Sequence, residues 1–308
     1  MTGVVWAALA GVGFGLFQAT NRAAALDMDV YRSTFIQLVV SAVILVAASV
    51  LSGDLALLSG VHVGAVLNFA AAGLVHFFVG WTLLNASQKR LGAARTSPLL
   101  ATTPLFGAAV AAATLGEAPS GLAWVGIVTI VAGVYVVGLE RIRGRAPVQV
   151  GFRQLDESFG AQGFTWKGAG FGLGTALCWA ISPLFIRNGL RDLDSPLLGV
   201  TISLVASVLA YAVALLVRGR SGAVRASRTA LAWKLTAGVL VGLSTWARWY
   251  ALSLTPVAVV LGLGLLSVPT VIVLAPFLVG RHVERITVPV VAGAALVTVG
   301  ALVLIATP

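Results

Sequence analysis

The chain has 308 residues, of which 59% are hydrophobic and only 10% charged, and its formal net charge is +10. Soluble domains devote about a quarter of their residues to Asp, Glu, Lys and Arg, so this composition excludes a soluble globular protein and puts the chain in a bilayer. The single cysteine, Cys178, excludes an intramolecular disulfide and any cysteine-based zinc or iron–sulfur centre.

In chain order, apolar stretches run near 4–20, 33–51, 63–85, 95–115, 121–139, 168–186, 197–217, 231–254, 256–279 and 288–306. Each approaches the ~20 residues that cross ~30 Å of hydrocarbon at helical rise. They are continuous runs of Ala, Leu, Val and Gly, without the alternation of a barrel strand. The expected fold is an all-α integral membrane protein with ten transmembrane helices. No Lys or Arg precedes Arg22, so the first stretch lacks the basic start of a secretion signal and reads as a retained helix.

The fourth and ninth stretches share one plan: "TPLFGAAVAAATLGE" (103–117) and "VPTVIVLAPFLVGRHVE" (268–284). A shift of 165 positions pairs Arg22 with Arg187, Asp27 with Asp192, Asp29 with Asp194, Trp81 with Trp246 and Pro104 with Pro269. A shift of 167 pairs Glu117 with Glu284 and Gly133 with Gly300. Scarce residues carry these matches, so the chain divides into a first five-helix repeat (1–139), a basic polar linker (140–163) and a second repeat (164–308). An odd number of helices per copy inverts the second copy in the membrane, the arrangement from which alternating access arises. Pro104 and Pro269 each remove a backbone donor from an apolar helix and are expected to act as hinges. Glu117 and Glu284 precede the fifth and tenth stretches, where the helix N-terminus favours a carboxylate.

The segments "LGAARTSPLLATTPLFGAAVAAATLGEAPSGLAWVGIVTIVAGVYVVG" (91–138) and "TPVAVVLGLGLLSVPTVIVLAPFLVGRHVERITVPVVAGAALVTVG" (255–300) resemble the drug/metabolite transporter superfamily in its EamA-type branch. The likeness is closest in the fourth and fifth helices of each copy. It implies a ten-helix carrier with a central cavity for amino acids, other small metabolites or drugs. The small multidrug-resistance relatives use a first-helix glutamate for proton exchange; here that region offers Gln18 and no acid.

Alternating loops between sides puts seventeen Lys and Arg on one face, Arg187 and Arg191 on the other, and leaves Arg248 as the one cation expected inside a helix. By the positive-inside rule the basic loops are cytoplasmic and both termini external, in a multi-pass cell (inner) membrane protein. The basic linker could also touch anionic lipid at the cytoplasmic face. The charge follows membrane sidedness and no nucleic-acid-binding motif appears, so no nucleic-acid partner is expected. A monomer is compatible with these features.

All ten acids fall in loops or at helix ends. His76 lies mid-helix, where two readings stand: an ionisable site, or a neutral ring bonded to a neighbouring helix. Arg248, six residues before Leu254, either snorkels to the interface or faces a cavity, where it would hold a substrate anion. Trp246, Trp249 and Tyr250 beside it, and Trp81, fit either an interfacial aromatic belt or a binding wall. Gln18, Asn21, Trp179 and Ser182 are the remaining candidate binding residues, as polar or aromatic groups in the first and sixth helices. No P-loop, hydrolase or metalloprotease motif occurs, so neither ATP drive, catalysis, a metal nor a cofactor is expected. The expected function is secondary transport, first as an exporter, of a small polar or amphipathic metabolite such as an amino acid. The alternative is a lipid scramblase or a non-transporting membrane interaction protein.

Overall fold

A computed structural model describes residues 2–25, 28–115, 120–138, 165–218, 227–255, 257–280 and 286–306. The described residues are helical and include no strand. The first half contains α1 (Thr2–Ala25), α2 (Val30–Leu51), α3 (Val63–Gly73), α4 (Trp81–Leu91), α5 (Ala93–Leu100), α6 (Thr103–Leu115) and α7 (Gly121–Gly138). The second contains α8 (Trp166–Asp192), α9 (Pro196–Arg218), α10 (Arg228–Leu254), α11 (Val257–Gly264), α12 (Ser267–Val279) and α13 (Val288–Ala306). A π-helical segment, Leu74–Gly80, joins α3 to α4 in one unbroken rod. The linker 140–163, Asp27, Glu117 and Glu284 lie outside the described residues.

Seven helical stretches are long and apolar enough to cross a membrane: α1, α2, Val63–Leu91, α8, α9, α10 and Val259–Val279. The apolar helices Gly121–Val137 and Val288–Val303 are shorter, and the stretch expected at 95–115 is interrupted between α5 and α6. Large apolar side chains such as Val43, Leu67, Leu209 and Phe277 stay exposed on the outside, as a lipid-facing surface requires.

Helix boundaries recur along the chain. The bounds of α5 and α6 lie at 93, 100, 103 and 115, and those of α11 and α12 lie at 257, 264, 267 and 279, each 164 positions on. Both pairs are broken at a two-residue step, Ala101–Thr102 and Leu265–Leu266. The chain closes three-residue turns there, with Thr102 N–H donating to Leu99 O and Leu265 N–H to Gly262 O. The prolines expected as hinges therefore sit one step late. Pro104 and Pro269 fall in the first turn of α6 and α12, where the missing N–H interrupts no bond, and the bend lies just ahead of them. Gly280 at φ 101° ends α12, a left-handed conformation that a Cβ would strain.

Close packing comes from small residues. α1 lies along α10 and α7 along α13. A Cβ on Gly133 would meet the backbone N of Val297 at 2.7 Å, and one on Gly300 the backbone O of Gly126 at 2.8 Å. Backbones in contact suit a membrane interior, where dispersion and weak polar contacts hold helices together in place of the hydrophobic effect.

Candidate functional site

The two interrupted helices meet around one partly open cleft of about 60 Å³, measured as the space open to the centres of water-sized molecules. Ala101, Thr103 and Pro104 line it from the first break, and Gly264, Leu265 and Ser267 from the second. α1 contributes Gly11, Phe14 and Gln18, α8 contributes Trp179, and α10 contributes Arg248. Irregular backbone at membrane depth is tolerated where it borders a cavity and its polar groups are satisfied. Here the hydroxyls of Thr102 and Thr103 donate to the carbonyls of Leu99 (2.7 Å) and Leu100 (2.6 Å).

Arg248 is partly buried and makes no hydrogen bond or ion pair to another described residue, so its guanidinium donors are available to a ligand. Gln18 is 1% exposed, and its Oε1 has no partner among the described residues. Trp179 packs on Phe14 at 6.1 Å and stacks on the His76 ring at 5.3 Å and 12°. His76 lies in the π-helical segment, a backbone form frequent at functional sites. Its Nδ1 pairs with Ser182 Oγ at 2.8 Å, so His76 and Ser182 stand behind Trp179 as its support.

Other predicted residues fall elsewhere. Trp81 and Trp249 are fully buried, Trp81 against Phe17 and Phe77 and Trp249 against Phe69. Neither lines the cleft. Trp246 and Tyr250 form an aromatic trio with Trp6, at centroid distances of 5.4 and 5.3 Å from it, also away from the cleft. Pro269 is exposed and does not line it.

Asn21 belongs to a second polar centre that sequence reasoning missed. Lys234, counted among the basic-face cations although it falls at the start of the 231–254 stretch, is inside α10, six residues after Arg228, and fully buried. Its Nζ donates to Gln37 Oε1 (2.7 Å), to Asn85 Oδ1 (3.4 Å) and to Asn21 Oδ1. Arg248 is therefore not the sole intramembrane cation, and the basic-face count falls from seventeen to sixteen. Arg22, in the last turn of α1, is also buried and donates to the carbonyl of Gln88 at 2.8 Å. A signal for Lys234 was present: Ala230, Lys234, Ala237 and Val241 fall on one helical face, and that face is the buried one.

Residues 1–139 match the EamA-like transporter family. That family belongs to the drug/metabolite transporter superfamily. Members of the EamA-like family are transporters, and the match falls on a chain with seven helical stretches long and apolar enough to cross a membrane. A solved crystal structure aligns over 97% of this chain and 96% of its own, at 16% identity and a TM-score of 0.60. At that identity the likeness bears on the fold alone. No curated protein matches the chain.

Proposed function

We propose that this EamA-like protein is a secondary transporter of a small metabolite bearing a carboxylate or similar anionic group, working by alternating access. The observation that carries the reading is the Arg248 guanidinium, unpaired among the described residues, in a cleft bordered by both helix breaks. Discontinuous helices meeting at a midplane cavity are where secondary transporters bind substrate. A planar guanidinium holds a carboxylate through two parallel hydrogen bonds, and the free Gln18 Oε1 offers an acceptor to a donor on the same ligand.

The recurring helix boundaries support a ten-span bundle of two repeats, 1–139 and 164–308, with the second inverted. In that arrangement α7, α13 and the α5–α6 pair complete the count. The excess of basic residues on one face supports cytoplasmic basic loops and external termini. Reconstituted vesicles loaded with candidate amino acids and organic acids test the function. Counterflow of a labelled carboxylate that an unlabelled one competes is the expected result. Movement of labelled lipid with no metabolite flux would replace this reading with scrambling.

A further inference from the structure

Lys234 presents an unusual balance of charge. An ammonium has three donors and no acceptor, and here it meets three side-chain oxygens, each from a different helix: Asn21 on α1, Gln37 on α2 and Asn85 on α4. All three amides are at most 1% exposed. None of the oxygens carries a formal charge, and no carboxylate pairs with Lys234 among the described residues.

The amides are oriented by the cation. Gln37 turns its oxygen to Lys234 and leaves its own Nε2 without a described partner. Asn85 accepts from Lys234 and from Asn21 Nδ2 (2.9 Å), and spends its own Nδ2 on Thr34 Oγ1 (3.0 Å) and the Trp81 carbonyl (2.8 Å). Asn21 gives its other bond to Gln88 Oε1 at 2.6 Å. Two of the three oxygens also accept within the cluster, Asn85 Oδ1 from Asn21 Nδ2 and Gln37 Oε1 from Asn85 Nδ2 at 3.5 Å, so the amides hold one another while all three oxygens face one centre. Neutral oxygens gathered on one centre are the donor set of a bound alkali cation, because a hard cation is coordinated by oxygen.

We propose that Lys234 is a tethered cation: its ammonium fills a monovalent-cation site built from the side-chain oxygens of Asn21, Gln37 and Asn85, and so pins α10 to α1, α2 and α4 without a soluble ion. Small residues let the tether reach. Ser41 Oγ donates to the Gly238 carbonyl at 2.8 Å, and a Cβ on Gly238 would sit 2.7 Å from Val40 Cβ, so α2 runs against α10 one turn beyond the lysine. Lys234 and Arg248 are fourteen residues apart on α10, about 21 Å at helical rise. On α1, by contrast, Asn21 of the pin is one turn from Gln18 of the cleft, so the pin adjoins the cleft at its Gln18 side and is remote from Arg248.

Melting temperature of the purified full-length protein tests this without reference to transport. Lys234→Ala empties the site, and its melting temperature should fall by several degrees in choline chloride. Most of that fall should return in ammonium chloride at equal ionic strength. Lys234→Met fills the space with an apolar chain and should not be rescued. A Lys234→Ala protein that melts like wild type, or that gains no more from ammonium than Lys234→Met, overturns the proposal. Gln37→Glu decides if Lys234→Ala does not fold, because a near-isosteric carboxylate beside a fixed ammonium should raise the melting temperature. An unchanged or lowered value overturns the proposal as well.

Discussion

Replacing Arg248 by lysine keeps the charge and removes the fork. In the structure no described residue competes for the guanidinium, so both of its parallel donors are available to a carboxylate. A hydrogen bond to a charged group contributes about 1.5–3 kcal/mol. Arg248 is only partly buried, which argues for the lower half of that range. Losing one of two bonds should then weaken binding about 10-fold in Arg248→Lys, taking about 1.4 kcal/mol per decade. Arg248→Ala loses both bonds and should weaken it on the order of 100-fold. The assay has two steps. A thermal-shift screen first finds a carboxylate ligand, since a ligand at 100 times its dissociation constant adds ~2.7 kcal/mol of stability. Equilibrium binding of that ligand to wild type and both variants, at matched expression and melting temperature, then reads the ratio. Wild-type affinity in Arg248→Lys would refute paired recognition by the guanidinium and leave Arg248 as a snorkelling residue.

Further outcomes follow from packing and sidedness. A Cβ at Gly73 would lie 2.1 Å from the Ser203 carbonyl oxygen, so Gly73→Ala must part α3 from α9 and should cost about 1–3 kcal/mol. Gly107 has open space around it, and Gly107→Ala should leave the melting temperature equal or higher, helix propensity favouring Ala by about 1 kcal/mol; equal effects at the two sites would contradict the packing. Ser182→Ala leaves the buried Nδ1 of His76 without its partner, and a melting temperature unmoved by a change worth about 1–3 kcal/mol would show that the pair does not support Trp179. In a Cys178→Ser background, Thr2→Cys should react with an impermeant thiol reagent in intact cells and Arg143→Cys should not. Labelling of the latter alone reverses the orientation.

Much of the architecture is written locally. Continuous apolar runs oblige helices in lipid because a helix satisfies its own backbone, so the stretches near 4–20 and 197–217 appear as α1 and α9 with only their ends extended. The shared plan around Pro104 and Pro269 marked the two interrupted helices, although the break itself falls at Ala101–Thr102 and Leu265–Leu266. Proline fixes its own φ and not the residue at which neighbouring carbonyls are released. Gln18, Trp179 and Arg248 were legible as candidates from their chemistry inside apolar helices, and tertiary packing brought them to one cleft. It also carried Trp81 and Trp249 into the core and Trp246 and Tyr250 to an outer face beside Trp6. Lys234 shows where local reading ends. Flanked by Arg228 and Trp233, it looks like an interfacial loop cation, because a hydropathy window weighs each residue against lipid or water. What keeps this charge inside is a third environment, three amide oxygens drawn from positions 21, 37 and 85. That environment exists only once α1, α2 and α4 have packed around α10.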